Sequence, residues 1–144
     1  MVDSLLPAVK KFAPWGLVPA RVLVVDPEPL IRWSICVALS AAGFDADSAA
    51  TAEEANQMIA MGDAPRVVLL DVHPDRQPQP LIDQIRAGSP GSRFLVMSTA
   101  RQTTEMLRQL RGVQVVEKPF DLTQLVSVVT ELAGDRAPAA GDRR

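Results

Sequence analysis

The chain has 144 residues, a formal net charge of −2 and a single cysteine, Cys36. This length is typical of one domain, the near balance of charges argues against a basic surface for nucleic acid, and one cysteine excludes an intramolecular disulfide. No apolar run approaches the roughly 18–20 residues that cross a membrane. We therefore expect one cytoplasmic domain at residues 21–133, with no nucleic-acid or membrane partner, followed by a flexible tail at residues 134–144.

Residues 1–20 form an N-terminal extension whose composition differs from that of the domain. Apolar residues between Leu5 and Phe12 follow helical spacing, but two prolines limit any helix there to about two turns. Two interpretations stay open. The segment is either a loosely ordered extension that lays Phe12 and Trp15 on an apolar patch, or a docking or dimer segment.

Five short runs alternate with helical patterns along the rest of the chain. Apolar runs of four or five residues are too short for helices and are typical of strands that are buried on both faces of a sheet. The second run along the chain is more polar and is expected at the sheet edge. The predicted strands are Arg21–Val25, Phe44–Ser48 (the polar one), Arg66–Leu70, Phe94–Met97 and Val113–Glu117.

The segments between these runs carry helix signals. The first, from Pro29 to Ala42, is rich in apolar residues and is expected to be a buried helix that stops at Gly43. Residues 74–80 contain three prolines and are expected to form a loop without regular structure. The other predicted helices are Thr51–Gly62 and Asp121–Leu132, both of which begin with a capping box, and Leu81–Ala87 and Thr103–Arg111.

Strict alternation of strands and helices with short connections predicts an α/β fold with parallel strands. Five repeats give a doubly wound five-stranded parallel sheet, for which 2-1-3-4-5 is a common strand order. In that order the ends of the first and third strands are neighbours. Asp26 and Asp71, which follow those strands, would therefore lie side by side.

Four polar residues at successive strand ends indicate a site for a metal and a phosphoryl group. Two carboxylates 4 Å apart repel each other by about 4 kcal/mol at an effective dielectric of 20, and Mg²⁺ removes this cost while preferring one or two carboxylates plus phosphate oxygens. The amine of Lys118 and the hydroxyl of Thr99 suit phosphoryl oxygens. A carboxylate nucleophile would form an aspartyl-phosphate.

The chain from about residue 21 to residue 133 resembles the receiver domain of two-component response regulators, an atypical one that stands alone. The resemblance implies the flavodoxin-like (βα)5 fold. Lys-Pro-Phe is the most specific match, and in this family the lysine precedes a cis peptide bond. The matching pieces are VLVVDPEPLIR at residues 22–32, VLLD ending at Asp71, Thr99-Ala100 and Lys118-Pro119-Phe120.

The resemblance also implies residue roles. Asp71 would be the phosphoacceptor, Asp26 would belong to the acidic metal pocket, Thr99 would be the switch hydroxyl and Lys118 would contact the phosphoryl group. The backbone carbonyl of His73 would be a metal ligand. The implied cofactor is Mg²⁺, bound by Asp26, Asp71 and His73.

Three departures from the family pattern bear on function. Most receivers carry a second acid after the first strand, where this chain has Pro27, so Mg²⁺ binding is expected to be weakened unless Asp26 or Glu28 compensates. The Pro-x-x-x-Gly loop of the family is shortened and rebuilt around prolines. The aromatic residue that usually lies three residues before the lysine is Val115, so the usual aromatic switch cannot operate as such.

The leading hypothesis is a response regulator receiver that accepts a phosphoryl group on Asp71 from a histidine kinase or a histidine phosphotransfer protein. It would signal through contacts with a downstream protein target, and a homodimer is one option. The main alternative is a pseudo-receiver that acts as an interaction module without phosphorylation. A remote alternative is a small phosphatase with an aspartate nucleophile. Under the leading hypothesis the protein is not an enzyme beyond its own phosphorylation and dephosphorylation.

Overall fold

The computed structural model describes residues 19–62, 64–72, 78–98 and 101–134. Five strands and five helices alternate within these residues. In chain order they are β1 (Arg21–Val25), α1 (Pro29–Ala41), β2 (Asp45–Ala49), α2 (Ala52–Met61), β3 (Val67–Asp71), α3 (Pro78–Gly88), β4 (Arg93–Ser98), α4 (Arg101–Arg108), β5 (Val113–Glu117) and α5 (Leu122–Gly134).

The strands form one parallel sheet in the order β2-β1-β3-β4-β5, which confirms the predicted fold class and strand order. Alternating side chains of the central strands enter two apolar clusters, one on each face of the sheet. β3 and β4 are buried along nearly their whole length, as expected for strands that helices cover on both faces. The polar strand, β2, lies at the sheet edge as predicted, one residue later than the sequence pattern placed it.

Helix α1 ends as predicted but is not the buried helix that its composition indicated. Gly43 adopts a φ of +102°, and the N–H groups of Gly43 and Phe44 donate to the carbonyls of Ser40 and Leu39, closing a Schellman motif. Only one face of α1, centred on Ile35 and Leu39, is buried. The prediction was wrong because apolar residues continue around the helix onto the side that faces solvent.

The proline-rich stretch before α3 was predicted to lack regular structure, and this was wrong in part. α3 begins at Pro78 and includes Pro80. Both prolines occupy the first turn, where helical N–H groups have no intrahelical acceptor and a missing donor costs nothing. Residues 73–77 lie outside the described residues, so the rest of the predicted loop stays a prediction.

Side-chain caps begin α2 and α5 as the sequence patterns predicted. Thr51 Oγ1 accepts from the N–H of Glu54 at 3.1 Å, and Asp121 Oδ1 accepts from the N–H of Gln124 at 2.7 Å. The Glu54 carboxylate reaches back to the N–H of Ala50, one residue beyond the position in a standard capping box.

The fourth helix and the tail complete the comparison with the predicted elements. α4 ends at Arg108, three residues before the predicted end, because the chain turns there and Gly112 takes a φ of +73°. Cys36 is half-buried. Gly134 is the last residue of α5, and residues 135–144 lie outside the described residues. Among the helices described, none combines the length and the apolar character that crossing a bilayer needs.

Candidate functional site

The carboxyl ends of β1 and β3 bring two aspartates to the same edge of the sheet. Val25 and Leu70 are register partners in the β1–β3 pair, and Asp26 and Asp71 occupy the next position on each strand. The N–H of Asp26 donates to Ala49 of β2 at 3.0 Å, so the backbone is held up to the point where the carboxylate leaves it. The prediction that the two aspartates are neighbours agrees with this register.

The end of β5 delivers a lysine to the same edge. The N–H of Lys118 donates to the carbonyl of Ser98 at 2.8 Å, which continues the β4–β5 pairing by one residue. The Lys118 ammonium forms an ion pair and a hydrogen bond with Asp71 Oδ1. The Lys118–Pro119 peptide bond is cis, as the sequence resemblance implied. An aspartate and an ammonium from distant parts of the chain therefore meet at this edge.

Asp26 is the most unusual charged group of the site. Its side chain is 1% exposed; Oδ1 accepts the N–H of Glu28 at 2.9 Å, while Oδ2 has no hydrogen-bond partner. Burial raises the pKa of the Asp26 carboxyl above its ordinary value of 3.8, and the negative charge of Asp71 raises it further. The Glu28 hydrogen bond and the Lys118 charge oppose this rise. Asp26 is thus a buried acid with one oxygen free to take a cation.

The two carboxylates fit a divalent cation with few protein ligands. The unpartnered Asp26 Oδ2 and the adjacent Asp71 offer the one or two carboxylates that Mg²⁺ takes when phosphate oxygens and water complete its shell. Within the described parts of the chain, no group of three His, Cys, Asp or Glu side chains gathers into a more complete metal site. Asp26 and Asp71 would therefore be the side-chain ligands.

The turn after β1 positions Asp26 without adding a second acid to it. Pro27 has no side-chain oxygen, and the side chain of Glu28 is exposed, so the contribution of Glu28 in this structure is its backbone N–H. The guanidinium of Arg32 donates to the carbonyl of Asp26 at 2.8 Å. Arg32 belongs to the segment that resembles the receiver family, but the sequence pattern gave it no role. The signal was a cation in the first turns of the helix that follows the aspartate.

Two predicted site residues, Thr99 and His73, lie outside the described residues, and their roles stay predictions. Ser98, the last residue of β4, is buried at the same edge. Val115 lies in β5 and is half-buried against the cluster on one face of the sheet. It has no ring that could turn between a buried and an exposed position.

An apolar groove opens beside the lysine. It has a volume of about 490 Å³ and lies between the N-terminal half of α1 and the start of α5. Its lining is mostly apolar, with Lys118 at one end, so the groove connects the surface of the molecule to the charged edge of the sheet. The residues that line it are Ile31, Ser34, Ile35, Lys118, Pro119, Phe120 and Leu122.

A parallel 2-1-3-4-5 sheet with two aspartates and a lysine at its carboxyl edge defines a class of phosphoryl-accepting signalling domains. Residues 22–130 match the family model of the response regulator receiver domain. The chain therefore belongs to the response regulator receiver domain family. Receiver domains are modules of two-component systems that are generally not enzymes, and they generally bind Mg²⁺ at this acidic pocket.

Curated relatives of known sequence include two DNA-binding transcriptional regulators named NtrC. The protein of Rhizobium meliloti (strain 1021) is 33% identical over 112 residues, which are 76% of this chain and 23% of that protein. The protein of Azospirillum brasilense is 30% identical over 123 residues, or 84% of this chain and 26% of that protein. The chain spans about a quarter of the length of these relatives.

Solved structures show the same fold. NtrX from Brucella abortus superposes with a TM-score of 0.71 and 28% identity, over 81% of this chain and 27% of that chain. A response regulator receiver protein from Sinorhizobium medicae WSM419 superposes with a TM-score of 0.68 and 21% identity, over 81% of this chain and 95% of that chain.

Proposed function

We propose that this receiver domain accepts a phosphoryl group on Asp71 and passes the signal on through protein–protein contacts. The observation that carries the proposal is the ion pair between Lys118 and Asp71 beside the buried Asp26. An ammonium next to a strand-end carboxylate is suited to neutralise a phosphoryl oxygen. The buried second acid supplies a place for the counter-cation that a phosphoryl group needs.

The proposed reaction is a displacement at phosphorus. An oxygen of the Asp71 carboxylate attacks, the P–N bond of a phosphohistidine breaks, and the electron pair of that bond leaves with the imidazole, which then takes up a proton. Lys118 moves its hydrogen bond from Asp71 to a phosphoryl oxygen as the new O–P bond forms. Mg²⁺ held by Asp26 and Asp71 would supply positive charge to the same oxygens when bound.

The proposed donor is a histidine kinase or a histidine phosphotransfer protein, and the proposed recipient of the signal is a downstream protein target. The groove beside Lys118 supports a protein donor because its lining is mostly apolar and it opens onto the surface. Self-association of the domain is a further option that the same surface permits.

Phosphorylation with a small donor tests the proposal directly. The intact protein is incubated with acetyl phosphate and Mg²⁺, and its mass is followed by mass spectrometry. We expect the mass of one phosphoryl group to be added to the wild type and to Asp83→Asn, which removes an exposed carboxylate of α3, but not to Asp71→Asn. Equal labelling of Asp71→Asn and wild type would refute the assignment of the acceptor.

The second candidate is a pseudo-receiver that binds partners without being phosphorylated. Pro27 favours this candidate because proline offers no side-chain oxygen at a position where most receivers have an acid that binds the cation. Val115 favours it because valine has no aromatic ring that could act as a switch. This candidate predicts no labelling of the wild type under conditions that label an ordinary receiver. The same mass measurement therefore separates the two functions.

A further inference from the structure

Three of the four hydrogen-bonding groups of Asp26 are held by different parts of the chain. Its N–H donates to the carbonyl of Ala49 in β2 at 3.0 Å. Its Oδ1 accepts the N–H of Glu28 at 2.9 Å, and its carbonyl oxygen accepts from the guanidinium of Arg32 in α1 at 2.8 Å. Within the described residues, Oδ2 has no partner. The residue is thus fixed from three directions, with one oxygen left for a cation.

The turn after Asp26 has no backbone donor for the Asp26 carbonyl. Pro27 and Pro29 have no N–H group, and the N–H of Glu28 is already bound to Asp26 Oδ1. The backbone of Glu28 is extended, with a φ of −87° and a ψ of 112°. Because Asp26 is buried, its carbonyl needs a donor from within the protein. The side chain of Arg32 supplies that donor.

Arg32 is itself held in place at the start of α1. Its N–H donates to the carbonyl of Glu28 at 3.0 Å, and Glu28 is the N-cap residue of the helix. The side chain of Arg32 is half-buried. A guanidinium stays protonated in proteins and only donates hydrogen bonds. The contact between Arg32 and the Asp26 carbonyl therefore joins the first turn of α1 to the end of β1 at every physiological pH.

The guanidinium of Arg32 acts on the backbone of Asp26 rather than on its carboxylate. Burial, the Glu28 hydrogen bond and the charges of Asp71, Lys118 and Glu28 shift the pKa of that carboxyl, and Arg32 is not among these charges. The hydrogen bond from Arg32 ends on the carbonyl oxygen. Arg32 is thus suited to fix the position of Asp26 and not to neutralise it.

We propose that Arg32 is a positioning residue of the cation site: by holding the Asp26 carbonyl, it fixes the direction in which the free Oδ2 of Asp26 points. This role rests on the proposed function, because the cation is the Mg²⁺ that would accompany a phosphoryl group. Pro27 adds no second carboxylate to the turn, so the orientation of Asp26 has a larger share in binding. Residues that orient metal ligands commonly change the metal affinity about 10–100-fold when they are removed.

Calorimetric titration of the full chain with Mg²⁺ alone tests this role. Arg32→Met keeps the aliphatic stem, removes the donors and should weaken Mg²⁺ binding about 10-fold. Arg32→Lys keeps a charged donor and should recover most of the lost affinity. The matched control, Arg108→Met, changes an exposed cation of α4 and should bind as the wild type does. A wild type that binds no Mg²⁺, or an Arg32→Met variant with the affinity of the control, would overturn the proposal.

The dependence of labelling on Mg²⁺ separates positioning from a general loss of structure. With acetyl phosphate as donor, Arg32→Met should need about 10-fold more Mg²⁺ for half of its maximal rate. Its rate at saturating Mg²⁺ should stay within about two-fold of the wild type. A lower saturating rate with an unchanged Mg²⁺ requirement would overturn the positioning role. The titration needs no phosphoryl donor, so a wild type that binds Mg²⁺ but is never labelled would refute the proposed function and leave the role of Arg32 standing.

Discussion

The two sides of the strand-end site differ in how completely their charges are satisfied. On one side, Asp71 is paired with Lys118 through an ion pair and a hydrogen bond. On the other side, Asp26 is buried with one oxygen hydrogen-bonded to a backbone N–H and the other without a partner. The first side offers the Lys118 ammonium to an anion. The second side offers one carboxylate oxygen of Asp26 to a cation, which is only part of a cation site.

This difference indicates which half of the family's chemistry has changed in this chain. Lys118, the proposed partner of a phosphoryl oxygen, is present and forms an ion pair with Asp71, the proposed acceptor. The acid that would follow Asp26 is replaced by Pro27, so the burden of holding a cation falls on Asp26 and Asp71. We expect phosphoryl acceptance to depend strongly on Lys118. We expect the affinity for Mg²⁺ to increase when a carboxylate is restored at position 27.

The largest effect is expected when the ammonium group of Lys118 is removed. Lys118→Ala should reduce the initial rate of phosphorylation by acetyl phosphate about 100-fold, or about 2.7 kcal/mol, because a positioned donor for the phosphoryl oxygens is lost. The rate is measured by mass spectrometry of the intact protein. Arg108→Ala, which removes an exposed cation of α4, serves as control. A rate for Lys118→Ala within two-fold of the control would contradict the proposed role.

A smaller effect is expected when a carboxylate is placed next to Asp26. Pro27→Asp should increase the affinity for Mg²⁺ about 10-fold, because it restores a carboxylate next to Asp26. Isothermal titration calorimetry measures the affinity. Pro29→Asp adds the same charge at the exposed start of α1 and should leave the affinity nearly unchanged. Equal affinities of the wild type and Pro27→Asp would show that the cation site is not weakened by proline.

The smallest effect is expected when the buried charge of Asp26 is removed. Because burial raises the pKa of Asp26, the folded protein holds this proton more tightly than the unfolded chain, and stability falls as pH rises from below the unfolded pKa to above the folded pKa. Asp26→Asn should therefore raise the free energy of unfolding at pH 7 by about 1 kcal/mol. This gain should vanish below pH values near the ordinary 3.8.

Urea denaturation without added divalent cations measures this difference. Asp83→Asn, which changes an exposed carboxylate of α3, is the matched control and should alter stability little at either pH. If Asp26→Asn is no more stable than the control at pH 7, then Asp26 carries no net cost of buried charge in the folded protein.

Much of the fold could be predicted from local patterns. Short apolar runs between helix signals are typical of strands in a parallel sheet, so the strands followed from period and length. Their order was predicted only as a common one for five such strands. Helix ends could be predicted where a single residue determines them, as the positive φ of Gly43 ends α1 and the hydroxyl of Thr51 caps α2. The prolines of α3 were misjudged because the cost of a proline depends on its position in the helix, which was not visible in the sequence.

The candidate site was predictable as a set of residues but not as a set of interactions. The positions of Asp26, Asp71 and Lys118 after their strands indicated a common edge, since parallel strands end together. Which oxygen of Asp26 is left without a partner, and that Arg32 holds the Asp26 carbonyl, depend on the path of the turn after β1.

Local sequence thus determined the elements of this protein, because backbone hydrogen bonding and burial impose short periods that can be read along the chain. The tertiary structure alone decided which apolar side chains remain outside. In α1 the composition is apolar nearly all round, and only the packing of that helix against the sheet and α5 selects Ile35 and Leu39 for the core while leaving Trp33 at the surface. That selection is a property of neighbouring elements and is not encoded in the helix itself.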